Sequence, residues 1–590
     1  MASPVSLIPK RRQLLWKKLG FVGVIVVLLW FIGDESFTVF TALQQHEPSE
    51  RIFRSMLQVN LLIWATAFSL YVWSKIVPAA VLGELLFQPP PVISSTPAGF
   101  RTNSATTTGT RRIYQPVVTA ADDDIVIGVE NVSDTSSHSR RSSHRLDDDD
   151  VRLDDGPDGD AEEPMDAHYE SDGEVEEPNL KVEIPSVVSV MSAACDMLLV
   201  ILVALFLFTI SAAGYTSSIQ PLQLVLQVAA PTFALVLFLY LVIASVLPWK
   251  KRSAFWIIVS LTPTAPWHDV TFRDGFIGDI ITSSVRPLQD IAFTTMYLLS
   301  GLRGWWSQDY HNNSFLDNAD ASVPEMERSW LMHTVILPMC MVSPLWWRFL
   351  QNLRQTFDNK KRWPYLGNGL KYFVAAQVAV FGVFHPELQK TAGWLSSFVI
   401  ATLYQIWWDV FMDWELIERD NQGRWRLRRR RLYSRKSFYW AMCIVNIILR
   451  FCWTLTFVPS RYLNATGVLK QNSLQLILGP TIASLEIVRR ALWGLLRFEL
   501  EAIKHLPDRE MSAASSPSLK KMSDDMEDGM IELTPMTVTT GASTPIGSLR
   551  TKFTSDMSSM NDVQILGELS VYATLFCIIG TVAAAHRGTL

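Results

Sequence analysis

Residues 187–212 read VVSVMSAACDMLLVILVALFLFTISA, with Asp196 as the single charged residue. A helix rises about 1.5 Å per residue, and crossing a bilayer's hydrocarbon core takes about 20 mostly apolar residues. This run is long enough, and its Leu, Val, Ile and Phe leave no polar face for water. It reads as a membrane-spanning helix. Working outward, further runs of this kind occupy 20–43, 56–82, 224–247, 277–300, 330–347, 370–386, 394–415, 438–458 and 474–497. The expectation is an all-α polytopic membrane protein with about ten transmembrane helices. Residues 563–585 are also apolar and suit an eleventh span, an interfacial helix or a tail. The N-terminal KRRQLLWKKLGFVGVIVVLLWFIG (10–33) lacks a clear small-residue cleavage site and is followed by more spans, so it reads as an uncleaved first helix.

Composition agrees. The chain has 590 residues, 49% of them hydrophobic, with 21 Trp and 30 Phe. Its mean hydropathy is +0.17 despite two long polar segments, so the remainder is strongly apolar. Those segments are 88–185, which contains SSHSRRSSHRLDDDD and DGDAEEPMDAHYESDGEVEEP, and 506–562, rich in Ser, Thr, Met and Asp. Neither buries enough apolar surface to offset the entropy of ordering, so both are expected to be disordered, as solvated linkers or phosphorylation targets. The resulting division is 1–87 with two spans, the acidic segment 88–185, 186–264 with spans three and four, a charged six-span unit at 265–505, the second polar segment 506–562, and an apolar tail at 563–590.

Orientation follows the excess of Lys and Arg on cytoplasmic loops. KRRQLLWKK (10–18), WKKR (249–252), RFLQNLRQTFDNKKR (348–362) and RWRLRRRR (424–431) are all expected there. With ten spans, both termini and the acidic segment are cytoplasmic. The sequons at Asn312 and Asn464 then fall in luminal loops, and the one at Asn131 falls in the cytoplasmic segment, where it is silent. The basic run Arg428–Arg431 between two spans reads as topology control and contact with anionic headgroups, not as a nucleic-acid site.

Ionisable residues inside spans are functional candidates, because burial in lipid is costly unless they line a polar cavity. They concentrate in spans five to ten. Asp279, Lys371, Asp409, Asp413, Arg450, Glu486, Arg489 and Arg490 stand out, with the polar Asn446 one turn before Arg450. Four positive and four negative groups can neutralise one another in a low-dielectric bundle. Asp409 and Asp413, in WWDVFMDWEL (407–416), are four residues apart and are expected to form one carboxylate face. The bland reading is that such pairs only lock helices together. The sharper one is a small oxyanion among the Arg and Lys groups. Monobasic phosphate suits this set better than chloride, because it both accepts hydrogen bonds from Arg and donates them to carboxylates. Sulfate and carboxylates stay open on this argument. Trp407, Trp408 and Trp414 read as interface belt or packing, while Trp453, three residues after Arg450, is a candidate wall or gate.

No phosphate-binding glycine loop, zinc-protease motif or nucleophile elbow is present, and the five cysteines lie in apolar stretches with no C-x-x-C pair. Neither an enzyme, a cofactor nor a metal site is expected.

Four ordered stretches resemble the motifs of the EXS-domain family: SPLWWRFLQNLRQTFDNKKRWPYLGNGLKY (343–372), WWDVFMDWEL (407–416), NIILRFCWT (446–454) and LEIVRRALWGLLRFELE (485–501). The resemblance covers about 265–505 and includes phosphate exporters and the fungal ER-retention-defective proteins of the Golgi. It implies a helical bundle in which spans five to ten surround the pathway. The exporters' phosphate site maps onto Asp279, Lys371, Asp409, Asp413, Arg450, Arg489 and Arg490, with Trp453 and Glu486 as gate or wall. Thr282 stands where the exporter pattern has Asn. Many exporters carry an N-terminal SPX domain. A span beginning near residue 20 leaves no room for one here, and GDIITS (278–283) resembles the shorter, Golgi-type branch.

The expected function is therefore transport of inorganic phosphate, returning luminal phosphate from the Golgi to the cytosol and so supporting glycosylation and protein retention. The alternative is a non-transporting adaptor that retains glycosyltransferases and ER residents, recruiting their cytoplasmic tails through residues 419–436, nine of which are Lys or Arg. The endoplasmic reticulum and plasma membrane are the alternative locations. Expected partners are phosphate, membrane lipids, glycosyltransferase tails and a second copy of the chain, docked through the cleaner early spans.

Overall fold

The computed structural model describes residues 7–31, 39–44, 46–87, 117–119, 126–128, 185–213, 220–247, 249–306, 329–384, 391–419, 422–452, 454, 471–506 and 556–585. The helices are α1 (Leu7–Phe31), α2 (Val39–Gln44), α3 (Glu47–Ile76), α4 (Ala79–Leu86), α5 (Val187–Ala213), α6 (Gln220–Val246), α7 (Trp249–Ser260), α8 (Phe272–Thr282), α9 (Val285–Leu299), α10 (Leu337–Asn359), α11 (Tyr365–Phe384), α12 (Ala392–Trp408), α13 (Lys436–Arg450), α14 (Gln471–His505) and α15 (Asp562–Ala585). Wider π turns precede α10 at Leu331–Ile336 and extend α12 at Asp409–Asp413. The described residues also include a 3-10 turn at Ala265–Trp267 and two short antiparallel strand pairs, β1 (Val117–Thr119) with β2 (Val126–Gly128) and β3 (Ile417–Arg419) with β4 (Trp425–Leu427).

The chain is an all-α polytopic membrane protein. Among the described residues, six stretches are long and apolar enough to cross a bilayer: they lie in α1, α3, α5, α6, α12 with its π turn, and α15. Residues 563–585, whose form the sequence left open, are thus one continuous helix of that kind. The other expected spans correspond to α8–α9, α10, α11, α13 and α14, which are shorter or carry the charged residues.

Among the described residues, three large apolar clusters hold the bundle together, and a small fourth one joins Val380 and Phe384 to Val342. The first joins α1, α2, α3, α5, α6 and α9 around Phe53, Phe208, Phe293 and Trp305. The second packs the C-terminal half of α3, with α4, onto α13 and α14 through Trp73, Trp414, Trp493 and Phe498. The third seats α15 on α10 and α11 around Phe349, Tyr372 and Phe576. The early spans therefore pack directly against the charged ones. Arg54 of α3 grips Asp290 of α9 with two hydrogen bonds of 2.7 and 2.6 Å, and Gln58 donates to the Pro480 carbonyl at 3.3 Å.

Several readings need correction. Residues 277–300 are not one helix. α8 opens on a capping box, in which the Asp274 carboxylate accepts from the Thr271 amide at 3.0 Å. It closes at Ser283–Ser284, whose amides turn back to Ile280 and Ile281 at 3.0 and 2.9 Å. α9 then restarts with Pro287 in its first turn, where no intrahelical donor is needed. Arg348, assigned to a basic cytoplasmic loop, lies well inside α10 and is buried. Arg428, assigned to headgroup contact, is buried too. It donates to the Trp414 carbonyl at 2.6 Å and pairs with Glu499, which also accepts from the Leu432 amide at 2.7 Å and from the Tyr439 hydroxyl. This pair pins the β3–β4 hairpin to α14. Trp408 and Trp414 are buried packing residues, and Trp407 is 37% exposed. Trp453, the three sequons, and nearly all of 88–184 and 507–555 lie outside the described residues.

Candidate functional site

The charged residues converge where α8 breaks. Each helix delivers its groups by spacing. On α14, Glu486, Arg489 and Arg490 sit at i, i+3 and i+4, hence on one face. On α13, Asn446 and Arg450 are four apart. α11 contributes Lys371 and Tyr372, and α12 contributes Gln405 and Asp409.

Buried ions are tolerated only when paired and hydrogen-bonded, and most of these are. Arg450 holds Asp409 through Nε and Nη2 at 2.8 and 2.9 Å, and Asn446 donates to the same carboxylate at 2.9 Å. Arg450 also donates to Gln405 Oε1. Arg489 holds Glu486 at 2.7 and 2.6 Å and donates to Asn446 Oδ1 at 3.2 Å. Glu486 accepts from Ser283 Oγ at 2.8 Å. Arg348 grips Asp279 at 3.0 and 3.2 Å, and the Tyr372 hydroxyl donates to the same carboxylate. Lys371 lies 3.5 Å from Asp413 and over the rings of Tyr372 and Trp408.

Arg490 differs. It donates to Ser283 Oγ at 3.0 Å and Thr282 Oγ1 at 3.3 Å, and its guanidinium lies 4.7 Å from the Trp493 ring centroid. Among the described residues no carboxylate pairs with it. Its side chain reaches the break after α8, which is why the break matters: it turns the Thr282 and Ser283 hydroxyls toward α14.

A cavity of about 260 Å³ occupies the centre. At about 30 Å³ per water it has room for roughly eight or nine waters. Lys371, Arg450, Arg489 and Arg490 line it, with Glu486, Thr282, Tyr372, Gln405 and Thr402. Asp279, Asp409 and Asp413 do not. Asp409 holds Arg450 and Asp413 faces Lys371, while Asp279 holds Arg348 and Tyr372. The cavity wall thus presents four cations and a single carboxylate.

Asp409 and Asp413 were expected to share a face, and in the structure the two carboxylates hold different partners. The segment is a π turn, shown by the Trp414 amide bonding to the Asp409 carbonyl at 3.0 Å, five residues back. Asp409 meets Asn446 and Arg450 of α13, with Arg489 of α14 at 4.0 Å, while Asp413 lies 3.5 Å from Lys371 and accepts from Trp408 Nε1 at 3.0 Å.

Sequence reasoning placed eight charges here in balance. The structure adds a ninth, Arg348, so five cations (Lys371, Arg348, Arg450, Arg489, Arg490) face four carboxylates (Asp279, Asp409, Asp413, Glu486). With every group ionised the formal sum is +1. A signal for Arg348 existed: the apolar pattern of α10 continues past residue 347 to Phe349 and Leu353. Tyr372, Ser283 and Gln405 were also missed. Tyr372 was legible as the neighbour of Lys371, whereas nothing in the sequence pairs Ser283 or Gln405 with an arginine.

Gly278 shows how tightly the Arg348 arm is fitted. A Cβ there would lie 2.5 Å from Arg348 Cδ and 2.7 Å from Gln351 Oε1. Arg348 cannot yield, because Asp279 fixes its far end. Gly278→Ala is expected to cost about 1–3 kcal/mol through overpacking, read as a lower melting temperature of the detergent-purified protein. An unchanged melting temperature would show that the arm is free to move.

The EXS family model matches residues 50–503. Solute carrier family 53 member 1 of Cricetulus griseus is 28% identical over 321 residues, covering 50% of this chain and 44% of that protein. SPX and EXS domain-containing protein 1 of Dictyostelium discoideum is 30% identical over 291 residues, covering 47% and 28%. The xenotropic and polytropic retrovirus receptor 1 homolog of Danio rerio is 27% identical over 301 residues, covering 47% and 40%. The chain thus spans less than half the length of each of these relatives.

Proposed function

The chain belongs to the EXS family, and from that premise we propose that it transports inorganic phosphate across its membrane through the cavity walled by α11–α14. One observation supports the reading: among the described residues the site's charges sum to +1 with every group ionised, and Arg490, which meets no carboxylate there, lines the cavity. A buried positive excess is stable only if an anion relieves it. Arg presents a planar fork that suits an oxyanion. Glu486, the carboxylate on the wall, can accept a hydrogen bond from a protonated phosphate, a bond that chloride has no proton to make. Asp279, Asp409 and Asp413 keep the cations in place and temper their pull, so that the anion can leave.

The membrane proposed is that of the Golgi, with phosphate returned to the cytosol as glycosyl transfer releases it, and with glycosylation and protein retention depending on that return. The likeness of GDIITS (278–283) to the Golgi-type branch supports this location.

The test is radiolabelled phosphate uptake into proteoliposomes of the purified full chain. Saturable uptake is expected, inhibited by excess phosphate far more strongly than by chloride. Absence of uptake, together with co-purification of glycosyltransferase tails on residues 419–436, would replace transport with the adaptor role.

A further inference from the structure

Residues 556–585 lie beyond the part of the chain matched to the family, yet they touch the elements that carry the site. The Met557 amide bonds to the Lys360 carbonyl at 2.8 Å, which fixes the start of the segment beside the α10–α11 turn. Arg362 grips Glu568 with bonds of 2.7 and 2.5 Å, and the Tyr572 hydroxyl donates to Glu568 at 3.0 Å. Further along α15, Phe576 packs against Trp346, Phe349 and Phe373, with ring centroids 4.8, 5.0 and 5.6 Å apart. Its carbonyl accepts from Gln377 Nε2 at 3.3 Å.

These contacts fall next to the site. Phe349 follows Arg348, which holds Asp279. Phe373 follows Tyr372, which donates to Asp279, and Lys371 precedes it. Tyr372 is itself buried in the same apolar cluster as Ile565 and Leu569 of α15. Lys371 is placed less firmly than the arginines: among the described residues its ammonium has one carboxylate, at 3.5 Å, and two ring faces. A flexible four-carbon stem so weakly anchored takes its position from its backbone. On the far side of α11 that backbone is braced by α15.

We infer that α15 positions Lys371 and Tyr372, through Phe576 and the Arg362–Glu568 pair, and so sets how tightly the cavity holds its anion. The effect on affinity rests on the phosphate reading above. Phe576 and Glu568 are positioning residues: they act through α11 and do not touch the cavity. Site geometry held by a supporting layer loses affinity when that layer loosens.

The experiment uses the full chain in proteoliposomes, with phosphate flux and amide hydrogen exchange measured on the same preparations. Phe576→Ala is expected to raise KM for phosphate about tenfold with kcat little changed, and to speed exchange at residues 371–377. Phe576→Leu should recover most of the wild-type KM. Val571→Ala, at a 56% exposed position on the same helix, should change neither quantity. Arg362→Glu should mimic Phe576→Ala, and adding Glu568→Arg should restore it. These variants also decide the matter if Phe576→Ala fails to fold. A wild-type KM in Phe576→Ala or in Arg362→Glu overturns the inference. If the wild type carries no phosphate, the transport reading falls and exchange alone judges the brace: faster exchange in α11 supports it, and unchanged exchange overturns it.

Discussion

Arg490→Ala is expected to lose phosphate flux while its melting temperature stays at the wild-type value or rises. The two halves follow from one geometry. Arg490 lines the cavity and bonds to hydroxyls, not to a carboxylate, among the described residues. Its removal leaves no buried ion without a partner. Ser283 keeps its bond to Glu486 at 2.8 Å, and Thr282 keeps its bond to the Asp279 carbonyl at 2.7 Å. Three other cations line the same cavity, so mutual repulsion falls. An anion bound there loses a charge-assisted fork. Truncating one partner of such a pair costs about 2–5 kcal/mol, and with about 1.4 kcal/mol per factor of ten the loss is on the order of a hundredfold. Flux in proteoliposomes and a melting curve on one preparation check both halves. Wild-type flux in Arg490→Ala would remove the main support for the transport reading.

Asp409→Asn is expected to behave in the opposite way, losing stability first. The Asp409 carboxylate is fully buried and accepts from Arg450 and Asn446. The amide keeps the shape but brings two donors where only acceptors fit. Arg450 is then left without its counter-ion. Removing one partner of a buried pair costs about 3–5 kcal/mol, which should appear as a clearly lower melting temperature and a poor yield of monodisperse protein. Protein that survives should carry little phosphate, because Arg450 is no longer held at the wall. A stable Asp409→Asn protein with reduced flux would instead make Asp409 a direct ligand of the anion and contradict its assignment as a holding group.

That distinction was not legible in the sequence. An i, i+4 pair of aspartates on an apolar helix reads as one face, and nothing in the spacing tells which of the two meets an arginine and which a lysine. The same limit applies to the break at Ser283–Ser284. Residues 277–300 are apolar enough to span, and no Gly or Pro marks the break itself, since Pro287 comes three residues later. What periodicity and charge did supply was substantial. The helical class follows from the apolar runs. Nine of the ten site residues singled out, all but Trp453, are described, Thr282 among them through the family resemblance alone, and all nine lie at the cavity or hold a residue that does. Arg348 was lost to a rule about loop charge, because the run of basic residues that follows it resembles a cytoplasmic loop. The compensating view is that a buried arginine declares itself by its partner, and Asp279 lies 69 residues away in sequence.

The central claim is that the arginine-lined cavity binds phosphate, and equilibrium binding of radiolabelled phosphate to the purified full chain in detergent tests it most directly. Saturable binding is predicted, displaced by unlabelled phosphate, unaffected by equal chloride, and lost in Arg490→Ala. Saturable binding that persists unchanged in the Arg489→Ala, Arg490→Ala double variant, or no saturable binding to the wild type, would contradict it.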